Sequence, residues 1–234
     1  MSTHDEIKQK IIMAGKILVA EGQDDFTRGH ISFRHPENPG LFFMKAHSIG
    51  LDEITMENIL TIDLEGNVVE GKAKRHSEVY IHSEILKARP DLNCVLHTHP
   101  TYSTAFSAMG RPMRALSQPA ALFYNAIGVY TDTINLIRSH DMGRGVAKAL
   151  GPHRTVLLKN HGVVIAGASI EETIISVIML ENAAQIQMIV EAAGEAAPEF
   201  PLEDILKLQH DISRPEQFIV NFDYLARRVK RRAG

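Results

Sequence analysis

The chain has 234 residues, 44% of them hydrophobic, enough to bury a sizeable core. Its net charge of -3 leaves no electrostatic footprint for nucleic acid or an anionic membrane. The single cysteine, Cys94, excludes an internal disulfide and fits a reducing compartment. The start does not resemble a signal peptide and no apolar run reads as long enough to span a bilayer, so the expected location is the cytoplasm. The basic tail Arg227, Arg228, Lys230, Arg231 and Arg232 reads as a solvated helix end, where cations complement the dipole.

The chain opens with an amphipathic helix. Thr3 and Glu6 have capping-box spacing, Ile7, Ile11, Ala14, Ile17 and Leu18 share a face, and Gly22 closes it. Residues Asp25 to Arg34 read as a loop running into a strand, and Pro36, Pro39 and Gly40 turn the chain towards a second strand, Leu41 to Lys45. Two more strands, Ile59 to Leu64 and Asn67 to Val69, meet at Glu65 and Gly66. Ser77 stands where it would cap a helix from Glu78 to Ala88, which Pro90 stops. The apolar strand around Cys94 follows, then a short helix from about Thr101 to Met109, before Gly110. Residues 117–130 are apolar and read only as buried. A helix is expected from Thr133 to Leu150, then two short strands, Thr155 to Lys159 and Val163 to Ala166. Ser169 with Glu172 caps a long helix running to about Ala193. Pro198 and Pro201 mark a linker into two C-terminal helices, at 203–212 and 215–230. Strands and helices alternate, which argues for an α/β fold. There is no internal repeat and no Gly-rich phosphate loop of either common type.

The stretch Cys94-Val95-Leu96-His97-Thr98-His99-Pro100 carries the chemistry. Side chains alternate across a strand, so His97 and His99 point to one side, and two imidazoles converging at a strand end make half of a transition-metal site. His161, in Asn160-His161-Gly162, and Glu78, after His76 and Ser77, are candidates to complete it. Three neutral imidazoles and one acid suit Zn²⁺, Mn²⁺ or Fe²⁺ and leave room for substrate. Each piece also has a plainer reading: a histidine pair at a surface or cap, a turn residue at His161, a solvated first-turn acid at Glu78. Their combination at successive element boundaries is more specific than any part.

The order Ser-Glu, His-x-His-Pro, Asn-His-Gly resembles the class II aldolase/adducin family, from the N-terminal helix to about residue 190. That resemblance implies a three-layer α/β/α sandwich forming one domain over 1–234, with a core over about 1–195 and C-terminal helices over 196–234. It implies a homotetramer with sites between subunits and a bound divalent metal, Mn²⁺ or Zn²⁺. His97, His99 and His161 fall on the family's metal ligands. Glu78 falls on its catalytic acid/base, which also serves as an optional ligand; whether it is acid, ligand or both stays open.

Three stretches depart from the family's sugar-phosphate enzymes. Their Gly-Asn-(Ile/Leu)-Ser turn is Gly29-His30-Ile31-Ser32 here, Pro-Ser-Gly becomes Ala46-His47-Ser48, and Ser-Ser-Glu becomes His76-Ser77-Glu78. Imidazoles fill the space around a tetrahedral phosphate, stack on flat rings and donate to carboxylates. Arg28 and Arg75 add bidentate carboxylate contacts. His30, His47, Ser48, Arg75, His76, Ser77 and Arg28 are therefore the expected substrate-binding residues, and the pattern resembles the family's decarboxylase branch. The expected substrate is a carboxylated aromatic acid, with 3-hydroxy-2-methylpyridine-4,5-dicarboxylate of vitamin B6 degradation as the specific candidate. The family's aldolase tyrosine aligns with Phe123, next to Tyr124, so that role is not carried over; Tyr224 is a candidate to reach a neighbouring site. Rival readings are an aldolase or epimerase for an unphosphorylated keto or sugar acid, and a non-enzymatic adducin-like binding module.

Overall fold

A computed structural model describes residues 3–194 and 197–233. An eight-stranded sheet runs in the order β4-β3-β2-β1-β5-β8-β7-β6, with β1 His30–Arg34, β2 Leu41–Lys45, β3 Ile59–Asp63, β4 Val68–Glu70, β5 Cys94–Thr98, β6 Ile127–Tyr130, β7 Thr155–Leu158 and β8 Gly162–Gly167. Every neighbouring pair is antiparallel except β6 with β7. The helices are α1 (Thr3–Ala20), α2 (Val79–Ala88), α3 (Thr101–Met109), α4 (Gln118–Ala121), α5 (His140–Leu150), α6 (Ile170–Ala192), α7 (Leu202–Ile212) and α8 (Pro215–Ala233).

Strand alternation assigns the layers. In β5, Cys94 and Leu96 join a core with α1, α3, α6 and α8, while Val95 joins one with α2 and α5. Helices on both faces give the three-layer α/β/α sandwich. Phe218, Phe222 and Leu225 of α8 pack into the α1/α6 core. The expected boundary near 195–196 lies outside the described residues. By parity with Val95, His97 projects into the α2/α5 layer, and the β1–β5 register sets His30 directly opposite it.

Several elements differ from expectation. Thr3 is already helical, so it does not stand outside α1 as its cap; the preceding residues lie outside the described range. Glu78, not Ser77, occupies the N-cap of α2 and makes no side-chain cap bond, because its carboxylate turns into the sheet–helix interface. The helix expected from Thr133 begins at His140, where the Ser139 hydroxyl accepts from the Met142 N–H. Ile134 and Leu136 are exposed on the preceding loop. Residues 117–130 contain α4 and β6, and Val129 and Asn125 are exposed rather than buried. By length and composition α6 is apolar enough to cross a bilayer, which corrects the expectation that no run is; half of its most apolar window is buried, filling the core against the sheet. The basic tail is not wholly solvated, since Arg228 pairs with Glu21 just beyond α1.

Candidate metal and substrate site

Backbone geometry at three points gathers His97, His99 and His161. His97 is the penultimate residue of β5 and His99 is the first residue after the strand, directly before α3's N-cap Pro100. His161 sits in the β7–β8 turn, which reverses through Asn160 in the left-handed region, with φ 59°. Gly162 is needed there for space: a Cβ would lie 2.6 Å from the Thr98 carbonyl oxygen and 2.6 Å from His99 Cδ2.

One nitrogen of each ring lies within 4.8 Å of the others. His97 Nδ1–H donates to the Val163 carbonyl at 2.9 Å, which leaves the Nε2 lone pair facing His99 Nε2, also at 2.9 Å. His99 Nδ1 lies 3.1 Å from Asp25 Oδ2, a carboxylate that favours the ring hydrogen on that side. Asp25 is itself held by Arg28, Nε to Oδ2 at 3.0 Å and Nη2 to Oδ1 at 3.1 Å. Both nitrogens of His161 are buried with no hydrogen-bond partner among the described residues. Burial, reinforced by His99 and His161, holds His97 far below its usual pKa. Burial, then His99 and Arg28, pushes His161 down to about 4. Burial also lowers His99, against the opposing pull of Asp25. Two lone pairs gathered to 2.9 Å of each other, on rings kept neutral, are a donor pair that a divalent cation would share, with His161 as the third ligand.

Glu78, at the head of α2, is 2% exposed. Its Oε1 accepts from the Ile137 N–H at 2.9 Å and lies 3.9 Å from His161 Nε2; its Oε2 lies 3.7 Å from His30 Nε2. Burial raises its pKa, against the Ile137 hydrogen bond and the Arg138 charge. The carboxyl thus stands between two imidazole clusters, with an oxygen turned to each.

The second cluster is His30 and His76 with Glu78, each offering an atom within 4.8 Å of the others. The His30 and His76 ring centroids are 4.0 Å apart, and His47 extends the row at 5.1 Å from His76. Burial first, then Lys45 and neighbouring rings, pushes His76 down to about 3. Lys45 is itself buried, its ammonium donating to the Thr27 carbonyl at 3.2 Å and to the Ile49 carbonyl, and burial pushes it down to about 8.

The remaining expected residues are more peripheral. The Arg28 guanidinium is committed to Asp25 and lies 5.9 Å from the exposed Phe26 ring. Arg75 lies over Tyr80 and donates to the His76 carbonyl at 3.3 Å. Ser48 is exposed at φ 65°, its hydroxyl 2.5 Å from His47 Nδ1, and Ser77 is half-buried. Phe123 is buried, Tyr124 packs beside α7 residues, and Tyr224 is exposed on α8. Sequence reasoning passed over His82, Asp25, Lys45 and the Ile137 N–H. The His82 signal was present: it follows Glu78 by four residues, one helical turn away on α2.

A model of the class II aldolase and adducin N-terminal domain matches residues 9–188. A 3,4-dihydroxyphthalate decarboxylase from Arthrobacter keyseri is 30% identical over 88% of this chain and 87% of its own length. The meiotically up-regulated gene 14 protein of Schizosaccharomyces pombe is 30% identical over 77% of this chain and 71% of its own length. Among solved structures, the L-fuculose 1-phosphate aldolase from Glaciozyma antarctica PI12 superposes with a TM-score of 0.86 at 25% identity, covering 97% of this chain and 89% of that one.

Proposed function

This chain belongs to the class II aldolase and adducin family, and from that membership we propose that it is a carbon–carbon lyase, a metal-dependent decarboxylase of a hydroxylated aromatic carboxylic acid. The observation that carries the reading is the second imidazole row. His30 and His76 stand beside Glu78 with Lys45 behind them, an array of planar donors and positive charge that suits a flat carboxylate. The likeness to a 3,4-dihydroxyphthalate decarboxylase supports the same substrate class.

His97, His99 and His161 hold the cation, Mn²⁺ or Zn²⁺, with Glu78 as an optional further ligand. A cation held there supplies Lewis-acid charge for the electrons released as the carbon–carbon bond breaks. Glu78, whose burial favours the protonated form, delivers the proton that replaces CO₂ on the ring carbon. One proton enters and one CO₂ leaves, with no oxidant or reductant. His30 and His76 orient the acid, with His47, Ser48, Ser77, Arg75 and Arg28 at the margin. The first substrate we propose is 3-hydroxy-2-methylpyridine-4,5-dicarboxylate, which places a ring hydroxyl beside a carboxylate. We propose a cytoplasmic homotetramer with sites at subunit interfaces.

A second reading, aldol cleavage of an unphosphorylated keto or sugar acid, is favoured by the likeness to a fuculose-phosphate aldolase. Assaying Mn²⁺-loaded protein for CO₂ from hydroxylated aromatic acids and for aldehyde from hydroxylated keto acids separates the two. CO₂ release supports the proposal, and Glu78→Gln is then expected to lower kcat by about 10²–10⁴-fold. Aldehyde without CO₂ overturns it.

A further inference from the structure

Behind His30 lies a buried hydrogen-bonded chain that leads away from the metal cluster. His30 Nδ1 is 2.6 Å from His82 Nε2, and His82 Nδ1 is 2.6 Å from Ser32 Oγ. All three side chains are fully buried. We infer that Ser32 and His82 fix His30 as a hydrogen-bond donor, so that its Nε2–H is the docking point for a substrate carboxylate and not a ligand for a second cation.

The hydrogens of this buried chain can be placed one by one. Ser32 Oγ has no partner but His82 Nδ1 among the described residues. If His82 donated to Ser32, the buried serine hydrogen would be left without an acceptor, which costs about 1–3 kcal/mol. With Ser32 donating to His82 Nδ1, both interior hydrogen bonds are made, and the one hydrogen left over moves from the sealed serine to His30 Nε2, beside Glu78, where a ligand can accept it. His82 must then carry its own hydrogen on Nε2 and donate it to His30 Nδ1. His30 Nδ1, accepting that hydrogen at 2.6 Å, carries none of its own. The one remaining ring hydrogen of His30 therefore sits on Nε2.

That Nε2 is buried with no hydrogen-bond partner among the described residues, and Glu78 Oε2 is 3.7 Å away, beyond a hydrogen bond. A buried donor left without an acceptor next to Glu78 wants an oxygen acceptor. Charge agrees with the count. A second dication at His30, His76 and Glu78 would sit beside the Lys45 ammonium and the first cation, with Glu78 the only carboxylate among the described residues of the two clusters and Asp25, beside His99, already paired with Arg28. A carboxylate is attracted by the same surroundings. His82 touches neither substrate nor cation, so it is a positioning residue.

This inference rests on the functional reading above, and its test uses binding rather than turnover. Salicylate, a ring with hydroxyl and carboxylate, and catechol, which lacks the carboxylate, are titrated by calorimetry into Mn²⁺-loaded protein. His82→Phe is expected to weaken salicylate by about 10–100-fold, as for other outer-sphere partners, with catechol affinity unchanged. His82→Gln, whose amide N–H still donates to His30 Nδ1, is expected to recover most of the salicylate affinity. Ser32→Ala removes a single oxygen and weakens salicylate in the same selective way, even where the Phe variant does not fold. Manganese content is expected to be one per chain in wild type and in His30→Ala. Salicylate affinity unmoved in both His82→Phe and Ser32→Ala, or two manganese per chain falling to one in His30→Ala, overturns the inference. If neither ligand binds the Mn²⁺-loaded wild type, the functional reading fails, and this inference with it.

Discussion

Burial keeps the site's imidazoles uncharged. His76 and His82 are pushed down to about 3 and His161 to about 4, from an ordinary 6.5. In the unfolded chain the same residues titrate near 6.5. Between those values the unfolded chain binds more protons than the folded one, so the stability of metal-free protein falls as pH drops below about 6.5 and keeps falling towards the folded values. Thermal melts of metal-stripped protein are expected to give a lower Tm at pH 5 than at pH 7.5; an equal or higher Tm at pH 5 contradicts neutral burial. Local spacing made His97, His99, His161 and Glu78 legible, since each stands at an element boundary with a recognisable neighbour. Asp25, Lys45 and His82 were harder to read because their contacts cross between layers. Lys45 looks like an ordinary strand residue until the turn carbonyls of Thr27 and Ile49 are seen to surround its ammonium.

Two connections place the site's residues, and each makes a prediction. At the β7–β8 turn, a Cβ on Gly162 meets the Thr98 carbonyl and the His99 ring, and the His97 ring at 3.4 Å. Gly162→Ala is therefore expected to displace the histidine cluster and weaken Mn²⁺ binding by at least about tenfold, with the helical circular-dichroism signal retained. Unchanged Mn²⁺ affinity would mean that the turn does not set the cluster. Before α5, the loop leading to Ser139 carries Ile137, whose N–H holds Glu78, and the Ser139 hydroxyl fixes where the helix begins. Ser139→Ala is expected to cost about 1 kcal/mol in urea unfolding. The helix expected from Thr133 starts only at His140, because the Ser139 hydroxyl caps it there, and Ile134 and Leu136 lie exposed on the loop before it. The strands flanking the site were legible because their apolar runs end at turn residues; β6 was not, since apolar periodicity alone does not separate a short strand from a buried helix turn.

In the whole molecule, the sheet binds the two histidine clusters to distant helices. β1 and β5 carry His30 and His97 on adjacent strands at the sheet's centre, while α2 lays Glu78 and His82 over them. The alternation of strands and helices pointed to the α/β class, but the nearly all-antiparallel order was not legible, since strand pairing depends on contacts far apart in sequence. On the other face, Phe222 of α8 is buried against the α1/α6 core. Phe222→Ala is expected to destabilise the protein by about 3–5 kcal/mol through the cavity it leaves. A single cooperative transition by denaturant unfolding, shifted to lower midpoint, is the expected readout; a separate early transition would mean that α8 is an independent appendage. The proposed chemistry is a metal-dependent loss of CO₂ at the His97–His99–His161 cluster. It is tested most directly by measuring CO₂ release from 3-hydroxy-2-methylpyridine-4,5-dicarboxylate and 3,4-dihydroxyphthalate by metal-stripped protein, before and after reloading with Mn²⁺ or Zn²⁺. Release that vanishes on stripping and returns on reloading is the predicted result; no release from either acid with metal bound, or equal release without it, would contradict the account.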